Sequence, residues 1–229
     1  MYRITTLLFS KYYGFKYLER TKKSTIFSKY GFCLKFSRLN NVLKELSLSK
    51  ELTNYKNVDY FVEMDYIQKG IYHGLTMRKY DTDLYNYVVM DKNKVTEMEL
   101  IQISCRIIKI VIFLHELGYC YLDVKPENFV MESCVSVKLI DYETISKHNS
   151  IVDYSSSIES IPIAQQRYLA KYYYDIYGIL NTIKFLGVEE TKNKSWNDIV
   201  IFLKTAKEDD WENEVNHREL KNLLVKFDL

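Results

Sequence analysis

The chain has 229 residues, of which 47% are hydrophobic and 27% are charged. This length and composition suit one sizeable core or two small lobes and exclude a largely disordered chain. Lys and Arg number 32 against 30 Asp and Glu, which leaves a formal net charge of only +2. Because such a balance gives no strong single-sign field, neither nucleic acid nor a membrane is expected as a partner.

Cysteine spacing and hydropathy favour an intracellular protein. The four cysteines are widely spaced and form no C-x-x-C pair, so we expect reduced core thiols. The longest apolar run, 107–114, is far shorter than the ~20 residues of a spanning helix. The N-terminus shows no secretory signal pattern. We therefore expect a cytoplasmic or nuclear location. The small size and biased composition would suit a virus or an intracellular parasite, and a viral protein would act in the host cell.

Strands dominate the predicted elements of the first 80 or so residues. Five short runs bounded by polar turns favour strands. They are residues 15–21, 25–29, 32–36, 59–64 and 71–77. Asn40 and Asn41 are placed to cap a helix that ends near Asn54. The N-terminal part is therefore predicted to be a small α+β unit.

Helical periodicity dominates from residue 83 onward. Predicted helices lie near residues 84–88, 96–114, 174–186, 196–203 and 218–225, with Thr96 as the cap of the longest. A hairpin is predicted from residues 129–131 and 137–140, and a loop is predicted over 146–160. We expect two domains, 1–79 and 80–229.

One segment of the second domain carries a pattern of charged and amide side chains. It reads Tyr121-Leu-Asp-Val-Lys-Pro-Glu-Asn, and the predicted hairpin separates it from Ile140-Asp-Tyr-Glu. Phosphoryl transfer needs a carboxylate to orient the attacking hydroxyl, a cation for the phosphate, and ligands for Mg²⁺. The pattern closely resembles H-R-D-L-K-P-E-N and the later D-F-G of protein kinases.

The resemblance implies roles for these residues and a fold for the whole chain. Asp123 and Lys125 are implied to be catalytic, and Asn128 and Asp141 to bind ATP and hold Mg²⁺. The fold implied is α+β: the bilobal protein-kinase fold, with a small strand-rich N-lobe over 1–79 and a helical, trimmed C-lobe over 80–229. Lysine two positions after Asp123 favours serine/threonine protein kinases over tyrosine kinases and small-molecule kinases.

Further residues of the nucleotide side follow from the same resemblance. Phe32-Cys-Leu-Lys is similar to V-A-I-K, so Lys35 is implied to contact the α- and β-phosphates of ATP. Its helix partner would be Glu45, with Glu51 as second choice, although such Lys and Glu residues are commonly just solvated. Met77 falls at the gatekeeper position, and adenine would bond to backbone around Lys79.

Asp175 begins a segment similar to D-x-W/Y-S-x-G, which implies that it supports the catalytic loop.

One departure from the family pattern concerns the phosphate side. Glu19, Thr21 and Ser24 stand where the glycine-rich loop has glycines, so the backbone cannot approach phosphates as closely. Side-chain charge on Lys22 and Lys23 could compensate, or these lysines form an ordinary solvated turn.

Two further departures concern the activation segment, residues 141–166. Glu143 replaces the D-F-G glycine, which predicts a more rigid start; its side chain would either add a carboxylate near the metal or face solvent. Leu122 replaces the arginine that would pair with an activation-segment phosphate, so we expect activity without phosphorylation there.

Two functions remain open at this point. The first is a minimal ATP- and Mg²⁺-dependent serine/threonine protein kinase, for which the sequence names no protein substrate or oligomeric state. The second is a pseudokinase that serves as a binding or decoy module, because the glycines are missing and the ends of the activation segment are altered. A small-molecule phosphotransferase is disfavoured by Lys125 and Pro126.

Overall fold

The computed structural model describes residues 16–20, 24–55, 59–91, 95–152, 167–205, 207–212 and 214–227. The chain divides into two compact units. The first comprises Met1–Asp81 together with Ile140–Glu143, and the second comprises Thr82–Leu139 together with Thr144–Leu229. Four residues far along the chain thus belong to the first unit, which the division at residue 79 did not anticipate. Over the described residues, helices that combine the length and the apolar character needed to cross a bilayer are absent.

The first unit is built on an antiparallel sheet. Its strands are β1 (Lys16–Arg20), β2 (Thr25–Lys29), β3 (Phe32–Ser37), β4 (Asp65–Lys69) and β5 (Tyr72–Arg78). They lie in the order β1-β2-β3-β5-β4. The β2–β3 turn has φ of 49° at Tyr30 and 81° at Gly31, as a two-residue hairpin turn requires. Phe27, Leu34 and Phe36 pack together in its core. The strand-rich α+β prediction is confirmed here.

The predicted strand over 59–64 is wrong, and the fourth strand begins only at Asp65. The apolar residues that suggested a strand are buried, but the segment forms no more than a single β-bridge at Phe61, and side chains bind the backbone of Val62 and Met64. The Tyr142 hydroxyl bonds the N–H and the carbonyl of Val62, and Ser49 Oγ accepts the N–H of Met64. Apolar periodicity reports burial, so it could not distinguish this buried connection from a strand.

Helix α1 spans Leu39–Thr53 and begins two residues earlier than a cap at Asn40 would allow. Its N-cap residue is Arg38, without a side-chain capping bond, so Asn40 and Asn41 lie inside the first turn. The buried face carries apolar residues and one buried carboxylate, that of Glu45. The cap prediction was therefore wrong.

The second unit is mainly helical. Its helices are α2 (Leu84–Asp91), α3 (Glu97–Glu116), α4 (Tyr172–Leu186), α5 (Lys194–Thr205) and α6 (Glu214–Leu224). Thr96 caps α3 as predicted, and it forms a reciprocal capping box with Glu99. Short stretches of 3₁₀ helix occur at Pro126–Asn128, Glu208–Glu212 and Val225–Phe227, and a further one at Tyr142–Thr144 has only Thr144 in this unit. The helical prediction for this part is confirmed.

Short antiparallel pairs complete the second unit. They join β6 (Tyr119–Cys120) to β9 (Ser146–Lys147), β7 (Phe129–Met131) to β8 (Val137–Leu139), and β10 (Ile151–Val152) to β11 (Tyr168–Leu169). The predicted hairpin over 129–140 is thus present, whereas the predicted loop over 146–160 contains two short strands. Among the cysteines, Cys134 is exposed and not a core thiol.

Candidate active site

Lys35 lies at the centre of a buried ion-pair cluster in the first unit. Its Nζ donates to Glu45 Oε2 at 3.0 Å and to Asp141 Oδ1 at 2.6 Å. The position follows from the sheet, because antiparallel pairing sets Lys35 opposite Ile26 on one side and Leu75 on the other. Lys35 is only 7% exposed, and Glu45 is fully buried on α1. The structure therefore brings Lys35, Glu45 and Asp141 together, whereas Glu51 is exposed on the same helix.

The pKa values of this pair reflect competition between burial and charge. Burial lowers the pKa of Lys35, but the charges and hydrogen bonds of Asp141 and Glu45 outweigh it and raise that pKa, so the amine stays protonated. Burial, reinforced by the charges of Asp141 and Glu143, raises the pKa of Glu45 to about 7, against the lowering effect of Lys35. The cluster thus contains more carboxylate than one ammonium neutralises.

Glu143 belongs to the same cluster. Its Oε2 lies 3.9 Å from Lys35 Nζ. Glu45, Asp141 and Glu143 each offer a carboxylate oxygen, and these oxygens lie within 4.8 Å of one another. Carboxylate oxygens are the protein ligands that Mg²⁺ prefers, so the donor set fits a divalent cation. Of the two alternatives for Glu143, the structure places the side chain beside Asp141.

Two bonds attach Glu143 to α1. Asn41 Nδ2 donates to Glu143 Oε1 at 3.3 Å, and Lys44 Nζ donates to the Glu143 carbonyl at 2.7 Å. Asp141 has a φ of 60°, whereas Glu143 is not among the described residues with positive φ. A side chain at position 143 is therefore accommodated without backbone strain, and it ties the start of the activation segment to the helix that carries Glu45.

Asp123, Lys125 and Asn128 lie together in the second unit, as their spacing in the loop suggests. Lys125 Nζ is 2.7 Å from Asp123 Oδ2. Asn128 Nδ2 donates to Asp123 Oδ2 at 2.8 Å and to the Asp123 carbonyl at 2.9 Å. This use of the amide nitrogen leaves the amide oxygen as the atom with which Asn128 could bind a cation. The Asp123 carboxylate is buried and held by two neighbours of its own loop.

Asp175 on α4 holds the backbone immediately before Asp123. Its carboxylate accepts the N–H of Tyr121 at 2.7 Å and the N–H of Leu122 at 2.6 Å. Leu122 has a φ of 66°, a conformation that strains a residue with a Cβ and must be held by its surroundings. The bonds to Asp175 supply part of that restraint. This geometry matches the supporting role that the resemblance implied for Asp175.

Leu122 lies in an apolar cluster of the second unit. The side chain is fully buried. It belongs to a cluster with Cys120, Val152, Tyr168, Ala170 and Tyr174. Val152 is on β10 and Tyr168 is on β11, the two strands that flank residues 153–166. Apolar packing therefore occupies the position where the family has its phosphate-binding arginine.

The predicted adenine side involves the end of β5. Met77 pairs with Cys33 of the neighbouring strand. The N–H of Lys79 donates to the Gly31 carbonyl at 2.8 Å, so this donor is already in use. The basic turn at Lys22 and Lys23 lies outside the described residues, as do the serines of the activation segment beyond residue 152.

Sequence reasoning missed two side chains that form contacts at the start of the activation segment, one on the segment itself and one on α1. Tyr142 replaces the family phenylalanine, and its hydroxyl bonds both backbone groups of Val62. Asn41 binds Glu143 instead of capping its helix. The extra hydroxyl at position 142 was a visible signal, but no local pattern identified the partner of either side chain.

The sequence was compared with protein families and with known proteins, and both comparisons point to kinases. The family described as Protein kinase domain matches residues 10–174, well over half of the chain. Maternal embryonic leucine zipper kinase of Xenopus laevis is 32% identical over 72 residues, covering 31% of this chain and 11% of that protein. The cyclin-dependent kinase 4 homolog of Caenorhabditis elegans is 21% identical over 141 residues, covering 59% and 35%. Serine/threonine-protein kinase VHS1 of Saccharomyces cerevisiae is 29% identical over 100 residues, covering 43% and 21%.

The chain thus matches about a third or less of the length of these curated relatives. The family match, the strand-rich first unit, the helical second unit and the kinase relatives all agree with the fold that the sequence predicted. This chain therefore belongs to the protein kinase family and has its bilobal α+β fold.

Proposed function

We propose that this chain is an ATP- and Mg²⁺-dependent serine/threonine protein kinase. The observation that carries the proposal is the buried cluster in which Lys35 Nζ bonds both Glu45 and Asp141. A raised pKa keeps the Lys35 amine positive, and two carboxylates fix its position. Such a fixed ammonium is suited to bind the α- and β-phosphate oxygens of ATP.

Mg²⁺, when bound, neutralises the charge that develops on the phosphate oxygens during transfer. Asp141 and Glu143 would hold it with carboxylate oxygens. The resemblance to the family motif assigns Asn128 a ligand role as well, for which its amide oxygen is the suitable atom. The surplus of carboxylate over ammonium around Lys35 supports this role, because a cation would relieve that imbalance.

Residues of the second unit would act on the hydroxyl group of the protein substrate. Asp123 would accept a hydrogen bond from the serine or threonine hydroxyl and take its proton as the new O–P bond forms. Asn128 orients the Asp123 carboxylate, and the Lys125 ammonium beside it would attract the transferring phosphate. Lys125 also supports the assignment to serine and threonine rather than tyrosine.

Activity is proposed not to need phosphorylation of the activation segment. Leu122 packs into the apolar cluster that includes Val152 and Tyr168, so burial of apolar surface would anchor the strands on either side of residues 153–166. A phosphate has no arginine at position 122 with which to pair. Adenine recognition would fall to the backbone of Arg78 or Tyr80 beside the Met77 gatekeeper, because the N–H of Lys79 is bonded to Gly31.

A pseudokinase is the second candidate, favoured by one specific feature. Glu19, Thr21 and Ser24 stand where three glycines of the phosphate loop are expected, and a Cβ at each keeps the backbone from closing tightly over phosphates. In that case the cluster around Lys35 would be a structural ion pair.

Nucleotide binding and phosphate transfer separate the two candidates. With ATP and Mg²⁺ at 100 times the dissociation constant, the free energy of unfolding should rise by ~2.7 kcal/mol. Radiolabelled phosphate should pass to serine or threonine of a generic protein substrate. Asp123→Asn should abolish transfer but keep binding, whereas Asp141→Asn should weaken the Mg²⁺-dependent part of binding. Absence of a thermal shift at millimolar nucleotide would favour the pseudokinase.

A further inference from the structure

A chain of buried hydrogen bonds leads from helix α6 to the backbone of the catalytic loop, residues 121–128. His217 Nε2 on α6 is 2.9 Å from His115 Nδ1 on α3. His115 Nε2 is in turn 2.9 Å from Asp175 Oδ2 on α4. All three side chains are buried, and Asp175 also binds the N–H groups of Tyr121 and Leu122.

Hydrogen-bonding chemistry fixes the direction of this chain. The Asp175 carboxylate accepts from two backbone N–H groups, and an ionised carboxylate can only accept. His115 Nε2 must therefore carry the proton that faces Asp175. When the His115 imidazole is neutral, its Nδ1 is an acceptor, and the proton between the two rings belongs to His217. In that state His217 donates to His115, and His115 donates to Asp175.

With His115 neutral, a donor on His217 and the Asp175 carboxylate favour the same tautomer of His115, with its proton on Nε2. The opposite tautomer would place an N–H of His115 against the N–H of His217 and a lone pair against Asp175. Both contacts would then be repulsive. Asp175 would lose one of its three hydrogen bonds while still holding Leu122 at a φ of 66°. A donor outside the loop therefore reinforces the setting of the catalytic loop.

We infer that His217 is a positioning residue for the catalytic loop, acting on Asp123 through His115 and Asp175. The inference rests on the proposed kinase function for its effect on catalysis, whereas its effect on the loop backbone is independent of activity. His217 lies beyond the stretch that the family matches, residues 10–174, so the role comes from the contacts of this chain.

A purely structural role for His217 makes a different prediction. Its ring also packs against Tyr172 and Trp211, with centroids 5.2 and 5.5 Å away. If packing alone matters, the shape of the residue decides and the N–H does not. Substitutions that separate shape from hydrogen-bond donation therefore distinguish the two roles.

The experiment uses two variants of His217 and one matched control in the full chain. His217→Gln keeps an N–H donor near the position of Nε2, and His217→Leu removes the donor but keeps an apolar side chain. His148→Leu is the control, because His148 stacks on the same Tyr172 ring at 4.0 Å but bonds Glu212 instead of the chain to Asp175. Amide hydrogen exchange of Tyr121 and Leu122, and steady-state kinetics with ATP and a protein substrate, are measured for each.

Exchange of the Tyr121 and Leu122 amides should accelerate in His217→Leu, with kcat lower by about tenfold or more and KM for ATP changed less than about threefold. His217→Gln should restore both measurements, and His148→Leu should change neither. Equal behaviour of the Gln and Leu variants, whether both normal or both impaired, would overturn the inference. An inactive wild-type protein would instead refute the proposed function, and the amide measurements would still decide the role of His217.

The tautomer of His115 provides a test that needs no variant. Nitrogen NMR of wild-type protein should find the His115 proton on Nε2. A proton on Nδ1 would show that the direction of the chain is wrong, even if His217→Leu did not fold.

Discussion

Truncation of Leu122 to alanine is expected to loosen the pairing of β10 with β11 more than other parts of the second unit. Leu122 is fully buried against Val152 and Tyr168, which lie on these two strands. Alanine keeps a Cβ, so the strain at a φ of 66° is unchanged and the substitution removes packing alone.

The magnitude follows from burial and from the cavity that remains. Large-to-small substitutions of a fully buried leucine cost roughly 2–5 kcal/mol, and we expect about 3 kcal/mol at this site. If the loss falls on the anchoring of the strands, local opening becomes about a hundredfold more frequent, since each ~1.4 kcal/mol is a factor of ten.

Urea unfolding measures the loss of global stability, and amide hydrogen exchange measures the local opening of β10 and β11. The reporter amides are those of Asn149 and Ala170, which donate to the Ala170 carbonyl at 2.8 Å and to the Ser150 carbonyl at 2.9 Å. Leu84→Ala is the matched control, because Leu84 is equally buried but lies on α2 and outside the cluster. Both variants should lose global stability, but only Leu122→Ala should expose the reporter amides. Equal exchange of these amides in the two variants would refute the apolar anchor.

Three further substitutions test individual contacts. Tyr142→Phe should lower the free energy of unfolding by ~1–3 kcal/mol, because the buried N–H of Val62 loses its acceptor; a urea midpoint equal to that of wild type would contradict this. Gly178→Ala should cost ~1–3 kcal/mol and shift the Val124 amide resonance, because the new Cβ would lie 2.7 Å from Val124 Cβ; an unmoved resonance would argue against contact with the catalytic loop. Burial raises the pKa of Glu45 from 4.5 to about 7, so the folded state binds this proton more tightly than the unfolded state. The resulting stabilisation is fully present below pH 4.5 and is lost as the pH rises through about 7. Glu45→Gln should therefore flatten the decline in stability between about pH 5 and about pH 8, by at most ~3 kcal/mol, and an unchanged decline would show that another group titrates.

Local sequence patterns predicted the parts of this structure that local contacts build. Asp123, Lys125 and Asn128 lie within six residues, so their bonds follow from one loop. The capping box of Thr96 and Glu99 likewise needs only a three-residue spacing. Interactions of this kind can be read from the order of residues because the backbone itself brings the partners together.

Contacts across long separations could not be predicted in the same way. Asn41 and Glu143 are 102 residues apart, and the polarity of Asn41 fitted a helix cap equally well. Residues 59–64 show the same limit, because their burial was visible but the side chains that bind their backbone were not. His115 and His217, also 102 residues apart, are ordinary helix residues until the fold brings their rings together.

Three of the altered side chains share a property that the sequence alone did not show: each has a new contact partner in the fold. Glu143 replaces a glycine and bonds with Asn41 and Lys44, Tyr142 adds a hydroxyl that binds Val62, and Leu122 packs in an apolar cluster. A polar or charged group that lost its family partner and gained no new one would cost ~1–3 kcal/mol in a buried setting. Because the altered groups at positions 122, 142 and 143 each have a new partner within their own unit, these three departures add contacts around Asp141 and before Asp123. At these three positions, added contacts rather than loss of the charged and amide groups of the motif distinguish this chain from the family pattern.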